Sequence, residues 1–82
     1  MTNEVLIRLK PTDNEYHIIN CFYTEHPDDY LKMYVFCKKE EIPLRAEDID
    51  NNVIMGYIDS IDVYFGGGEN IPCIDVWINE FG

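Results

Sequence analysis

The chain has 82 residues, of which 46% are apolar, and its 16 Asp and Glu against 6 Lys and Arg give a formal net charge of −10 at pH 7. A chain of this length has interior for one hydrophobic core, so we expect a single domain over residues 1–82. Its apolar content predicts a folded chain and not a disordered acidic segment. The negative charge argues against direct binding to nucleic acid or to an anionic membrane.

The N-terminal third has the two-residue alternation of β-strands. Apolar and polar side chains alternate over residues 5–9, and after a Pro-Thr-Asp-Asn turn the alternation resumes over residues 15–24. These segments predict an antiparallel hairpin in which Leu9 lies opposite Tyr16.

Residues 31–38 allow two interpretations. Pro27, two aspartates after it and two lysines at the far end are typical of a helix. The interior favours a strand because it contains four consecutive poor helix formers, Tyr34, Val35, Phe36 and Cys37. We predict a strand and keep a helix near residues 27–39 as the alternative.

Residues 39–52 are polar and contain Pro43, so they predict an irregular crossover with one short helical turn near residues 46–50.

The C-terminal part again has strand alternation. Residues 53–58 and 61–65 predict one long strand that is broken or bulged at residues 59–60. A glycine-rich loop at residues 66–70 follows, and residues 73–78 return as the second strand of a hairpin.

These elements predict a mainly β fold, an antiparallel meander or small sandwich of about five to six strands with an irregular or short-helical crossover. With a helix near residues 27–39 the class becomes α+β.

One acidic segment partly matches a calcium-binding loop. Asp48, Asp50, Asn52 and Asp59 occupy positions 1, 3, 5 and 12 of that pattern. The match fails at Val53, where the loop requires Gly, and because a strand pattern follows. We therefore predict a solvated acidic loop and no metal.

Other arrangements of reactive side chains are also weak. The spacings of the three cysteines and two histidines match no zinc site, and the triple glycine has no nearby Lys or Arg to help it hold a phosphate. We predict no catalytic residue and no cofactor. An odd number of cysteines without a CxxC pair fits a reducing compartment, so we expect the cytoplasm.

The charge is unevenly distributed along the chain. All six cations precede position 46, where they are balanced by eight acids, whereas the segment after Arg45 has eight acids and no cation. In the C-terminal hairpin these acids alternate with aromatic residues. We predict that this half holds a surface for a Lys- and Arg-rich partner protein. Its residues are Glu47, Asp48, Asp50, Asp59, Asp62, Tyr64, Glu69, Asp75 and Trp77.

The density of carboxylates is comparable to that of phosphates on a nucleic acid. In composition the chain resembles small acidic inhibitors from phages, including anti-CRISPR proteins, which occupy the nucleic-acid groove of a basic protein. We therefore predict a nucleic-acid mimic that acts by binding and not by catalysis. The alternatives are an immunity protein that caps a basic nuclease toxin and a structural domain whose strand edges pair with a second copy.

Overall fold

Five strands and one helix follow one another in a computed structural model that describes residues 4–66 and 71–81. They are β1 (Val5–Pro11), β2 (Asn20–Thr24), α1 (Pro27–Lys39), β3 (Leu44–Glu47), β4 (Val53–Gly66) and β5 (Ile71–Glu80). The chain is mostly β with one short helix, which confirms the predicted mainly β class. Of the predicted glycine-rich loop, residues 67–70, including Glu69, lie outside the described residues.

The strands form one nearly barrel-shaped sheet with the order β2-β1-β5-β4-β3. Most neighbours are antiparallel, but β1 and β5 are parallel, so the sheet is mixed and the wholly antiparallel prediction is wrong. Strand β5 is buried along most of its length and has a neighbouring strand on both sides. The hairpin supplies β4 on one side, and the N-terminal strand supplies the other.

The core lies on one face of this sheet, which we call the inner face. Alternate residues of β1 and β5 point into it and are buried, namely Val5, Ile7, Leu9, Ile74, Val76 and Ile78. Tyr34 of α1 and Leu44 of β3 join the same core. The opposite side of the sheet, the outer face, therefore carries the polar residues that alternate with the core residues.

The predicted strand over residues 31–38 is wrong, because this segment lies within α1. Pro27 stands in the first turn, with two aspartates near the positive end of the helix dipole and two lysines near the negative end. Tyr34 is the buried residue of the helix, whereas Met33 and Val35 are exposed. A strand would have needed Met33 and Val35 on its buried face. The burial of the Tyr34 ring in the core therefore outweighs the low helix propensity of this segment.

Two other boundaries differ from the prediction. Strand β2 begins only at Asn20, which pairs with Leu9, so residues 15–19 belong to a loop and Tyr16 does not face Leu9. The predicted helical turn near residues 46–50 is also absent from the described chain, because β3 extends to Glu47 and a turn follows.

The long bulged strand is confirmed. β4 is continuous, and its pairing with β5 shifts register between Ile58 and Ser60. Within the described residues, no helix is long and apolar enough to cross a membrane.

Burial of the Tyr34 ring predicts a late step in an alkaline titration. Desolvation, with a smaller effect of Tyr30 and Cys37, raises the pKa of Tyr34 from 10.0 to about 12. The unfolded chain releases this proton at lower pH than the folded one, so stability is retained below pH 10.0 and falls as the pH rises toward about 12.

Ultraviolet titration of tyrosinate should therefore show one late step, near the pKa of about 12. Tyr34→Phe should remove that step. Persistence of the late step in Tyr34→Phe would contradict the burial of this ring.

Candidate functional site

The parallel pairing of β1 with β5 assembles a polar cluster on the outer face. Arg8 lies beside Asp75, and Lys10 lies beside Trp77. On the other side of β5, Asp62 of β4 lies opposite Asp75. We call this group the outer-face cluster, and it consists of Arg8, Lys10, Asp62, Tyr64, Asp75 and Trp77.

Asp75 is the buried charge of the cluster, with 4% of its surface exposed. Arg8 donates from Nε to Oδ1 at 2.7 Å and from Nη2 to Oδ2 at 2.9 Å, and the Tyr64 hydroxyl donates to Oδ2 at 2.8 Å. These three bonds satisfy both carboxylate oxygens. Asp75, which the sequence analysis predicts as a partner-binding residue, is buried, and its observed contacts are internal.

Trp77 organises the second half of the cluster. Its indole Nε1 donates to Oδ2 of Asp62 at 3.0 Å, and the Lys10 ammonium lies 4.4 Å from the centre of its ring. The contact with Lys10 is a cation–π interaction, so Trp77 contacts both a cation and a carboxylate of the cluster.

The predicted aromatic and acidic face thus exists, but it is not a surface of uncompensated negative charge. Its two aspartates are matched by two cations of β1, so the four charged groups sum to zero. Sequence analysis missed Arg8 and Lys10 because they belong to the charge-balanced first half of the chain. Their alternation along the polar side of β1 was the available signal.

A second acidic group lies where two loops meet at one end of the sheet. The backbone N–H of Ile49 donates to the Ile19 carbonyl at 3.1 Å, and Asn20 Nδ2 donates to the Glu47 carbonyl at 2.9 Å. These bonds join residues 12–19 to residues 47–52, and neither segment contains Lys or Arg. We call this region the acidic end, and its carboxylates belong to Asp13, Glu15, Glu47, Asp48 and Asp50.

Asp48 fixes the turn of the acidic end. Its Oδ1 accepts hydrogen bonds from the backbone N–H groups of Asp50 and Asn52, each at 2.8 Å. The bond from Asn52 is the main cause that lowers the pKa of Asp48, so the carboxylate stays ionised into more acidic solution. Asn51 adopts a left-handed conformation (φ 65°), which Asn tolerates well in turns. Asp48 therefore shapes the turn that presents its neighbours.

Two large side chains are exposed on the same two loops as these carboxylates. Tyr16 is 90% exposed and Ile49 is 68% exposed, and Glu47 and Asp50 are also exposed. Aromatic anchors together with a polar rim are common in protein-binding surfaces, and the acidic end contains both kinds of residue.

The structure therefore divides the predicted surface into separate groups. Glu47, Asp48 and Asp50 lie together at the acidic end, whereas the predicted residues of β5 belong to the outer-face cluster. Asp59 is exposed at the bulge of β4, beside an open cavity that is also lined by Lys38 and Glu41 of the helix end.

No three His, Cys, Asp or Glu side chains come together in a metal-binding arrangement within residues 4–66 and 71–81. The three cysteines are free thiols, with Cys21 exposed and Cys73 buried. Comparison of the chain with protein-family models, with curated proteins and with solved structures finds no match. The functional interpretation therefore depends on the surface itself.

The unequal burial of Asp62 and Asp75 predicts unequal effects of the same substitution. Asp75→Asn places an amide against Arg8 inside the sheet and should lower the free energy of unfolding by about 2–3 kcal/mol. Asp62→Asn keeps an acceptor for Trp77 on an exposed side chain and should change it by less than about 0.5 kcal/mol. Urea denaturation measures both values, and an equal loss in the two variants would contradict the assignment of Asp75 as the buried charge.

Proposed function

We propose that this chain is a small acidic inhibitor that binds a basic, nucleic-acid-handling protein and occupies its nucleic-acid groove, with the acidic end as the contact surface. The charge balance of the folded chain carries this proposal. Fifteen of the 16 acids lie in the described residues, where Arg8–Asp75 is the single ion pair. Outside this ion pair, 14 carboxylates (15 − 1) and five Lys or Arg side chains (6 − 1) remain in the described residues.

This charge density suits a groove that holds phosphates. The chain measures 40 × 26 × 20 Å. Duplex DNA carries one charge per about 1.7 Å, so a segment as long as the middle dimension carries about 15 charges. The unpaired carboxylates are therefore similar in number to the phosphates that such a groove accommodates.

The acidic end is the best-supported contact region. It combines five carboxylates with the exposed side chains of Tyr16 and Ile49. Carboxylates attract a basic groove over long distances, and a large apolar side chain adds affinity where it becomes buried. The outer-face cluster lacks this combination because Arg8 pairs with its buried carboxylate, Asp75, and because Lys10 lies over the ring of Trp77.

Charge reversal at the acidic end tests the proposal. The partner is first captured from a host lysate at about 50 mM salt, released at about 200 mM salt and identified by mass. Its complex with the chain is then titrated with labelled duplex DNA. The double variant Glu47→Lys and Asp50→Lys should weaken the complex by about 1–3 kcal/mol, because both side chains face the basic groove.

The matched control is the double variant Glu25→Lys and Glu40→Lys, which makes the same change in net charge at exposed positions next to the two helix ends. It should weaken the complex much less. Equal weakening by both pairs would show that long-range attraction, and not the acidic end, accounts for binding. Simultaneous binding of duplex DNA and the chain to the partner would contradict occupation of the groove.

A further inference from the structure

Part of β4 has an edge without a neighbouring strand. Strand β3 pairs only with residues 53–56 of β4, whereas β5 pairs with residues 56–66 of the same strand. Beyond the helix end that approaches the bulge, residues 60–65 have a neighbouring strand on one side only. Within residues 4–66 and 71–81, no loop, helix or side-chain group hydrogen-bonds to this segment's free backbone edge.

The side chains along this edge are unusually apolar for an unpaired strand. Val63 is 64% exposed and Phe65 is 76% exposed, both on the inner-face side of the strand. The exposed carboxylate of Asp62 lies on the other side. Soluble proteins usually protect such edges with lysines, prolines or short strands, because an open edge is a template for a further strand.

We infer that residues 60–65 of β4 bind an extended segment of another protein by strand addition. The segment forms backbone hydrogen bonds with the free edge. Its apolar residues face Val63 and Phe65, and its alternate Lys or Arg residues face Asp62.

Charge decides between this occupant and a second copy of the chain. Two copies would bring together two molecules of net charge −10, and pairing of their β4 edges would add a second Asp62 to the same interface. A segment that alternates apolar and basic residues meets the same edge with complementary charge.

This site lies away from the acidic end, so the inference goes beyond the proposed function and does not depend on it. The competition with duplex DNA tests whether the acidic end binds the partner. Binding of a short peptide, which lacks a nucleic-acid groove, tests the edge of β4 separately.

The probe is a fluorescent peptide of about eight residues that repeats Lys-Val, which is long enough to span residues 60–65 as a strand. The control peptide has the same composition with its lysines in one block and its valines in the other. Fluorescence anisotropy at about 150 mM salt, where exposed charges are screened beyond about 8 Å, measures both affinities. The alternating peptide should bind at least about tenfold more tightly.

Two variants remove the edge in different ways. Val63→Lys with Phe65→Lys adds charges to the edge, and Val63→Thr with Phe65→Thr removes the apolar surface while keeping strand propensity. Each should weaken binding of the alternating peptide by about tenfold or more. The matched control, Val35→Lys with Phe36→Lys, makes the same substitutions at exposed positions of α1 and should change the affinity by less than about twofold.

Several outcomes would overturn the inference. These are failure of the alternating peptide to bind, equal binding of the block peptide, and equal loss of affinity in the α1 control. Sedimentation of the wild type as a dimer that Val63→Lys with Phe65→Lys converts to a monomer would assign the edge to a second copy and would also overturn it.

Discussion

A charged side chain at the centre of the sheet constrains the whole arrangement. Asp75 lies on β5, which is buried along most of its length, so its carboxylate must be matched inside the protein. Arg8 matches it from β1, and Tyr64 from β4. The N-terminal strand can supply this guanidinium only by lying directly beside the C-terminal strand. The parallel pair β1–β5, which joins the two ends of the chain, is consistent with this requirement.

This pairing brings together charged residues that are far apart along the sequence. Along the chain the cations end at Arg45, but in the fold two of them, Arg8 and Lys10, lie against the acidic hairpin. Part of the negative charge that remains lies on the loops of the acidic end, which contain no Lys or Arg. There Asp48 uses its carboxylate to hold the turn, so its neighbours Glu47 and Asp50 stay exposed. One part of the acidic composition therefore stabilises the fold, and another part remains exposed at the acidic end.

Local patterns predict the strands well where one face is buried. The alternation in β1, β4 and β5 and the bulge near Ser60 are visible in the sequence because each strand contributes regularly to the inner face. The helix is visible only at its ends, because its interior has low helix propensity and the contact of Tyr34 with the core is a tertiary effect. Parallel pairing is also not a local property. For the same reason, sequence analysis found Glu47, Asp48 and Asp50 but missed Asp13 and Glu15, which reach the same end of the sheet from a different loop.

The coupling between Arg8 and Asp75 is the most direct test of this charge arrangement. A double-mutant cycle with Arg8→Met, Asp75→Leu and the combined variant measures it from the three changes in the free energy of unfolding. Arg8→Met leaves a buried carboxylate without its cation, whereas the combined variant removes both charges. The structure predicts a coupling energy of about 1.5–3 kcal/mol and a combined variant that is more stable than the sum of the single changes implies. Additive changes, with a coupling energy below about 0.3 kcal/mol, would contradict it.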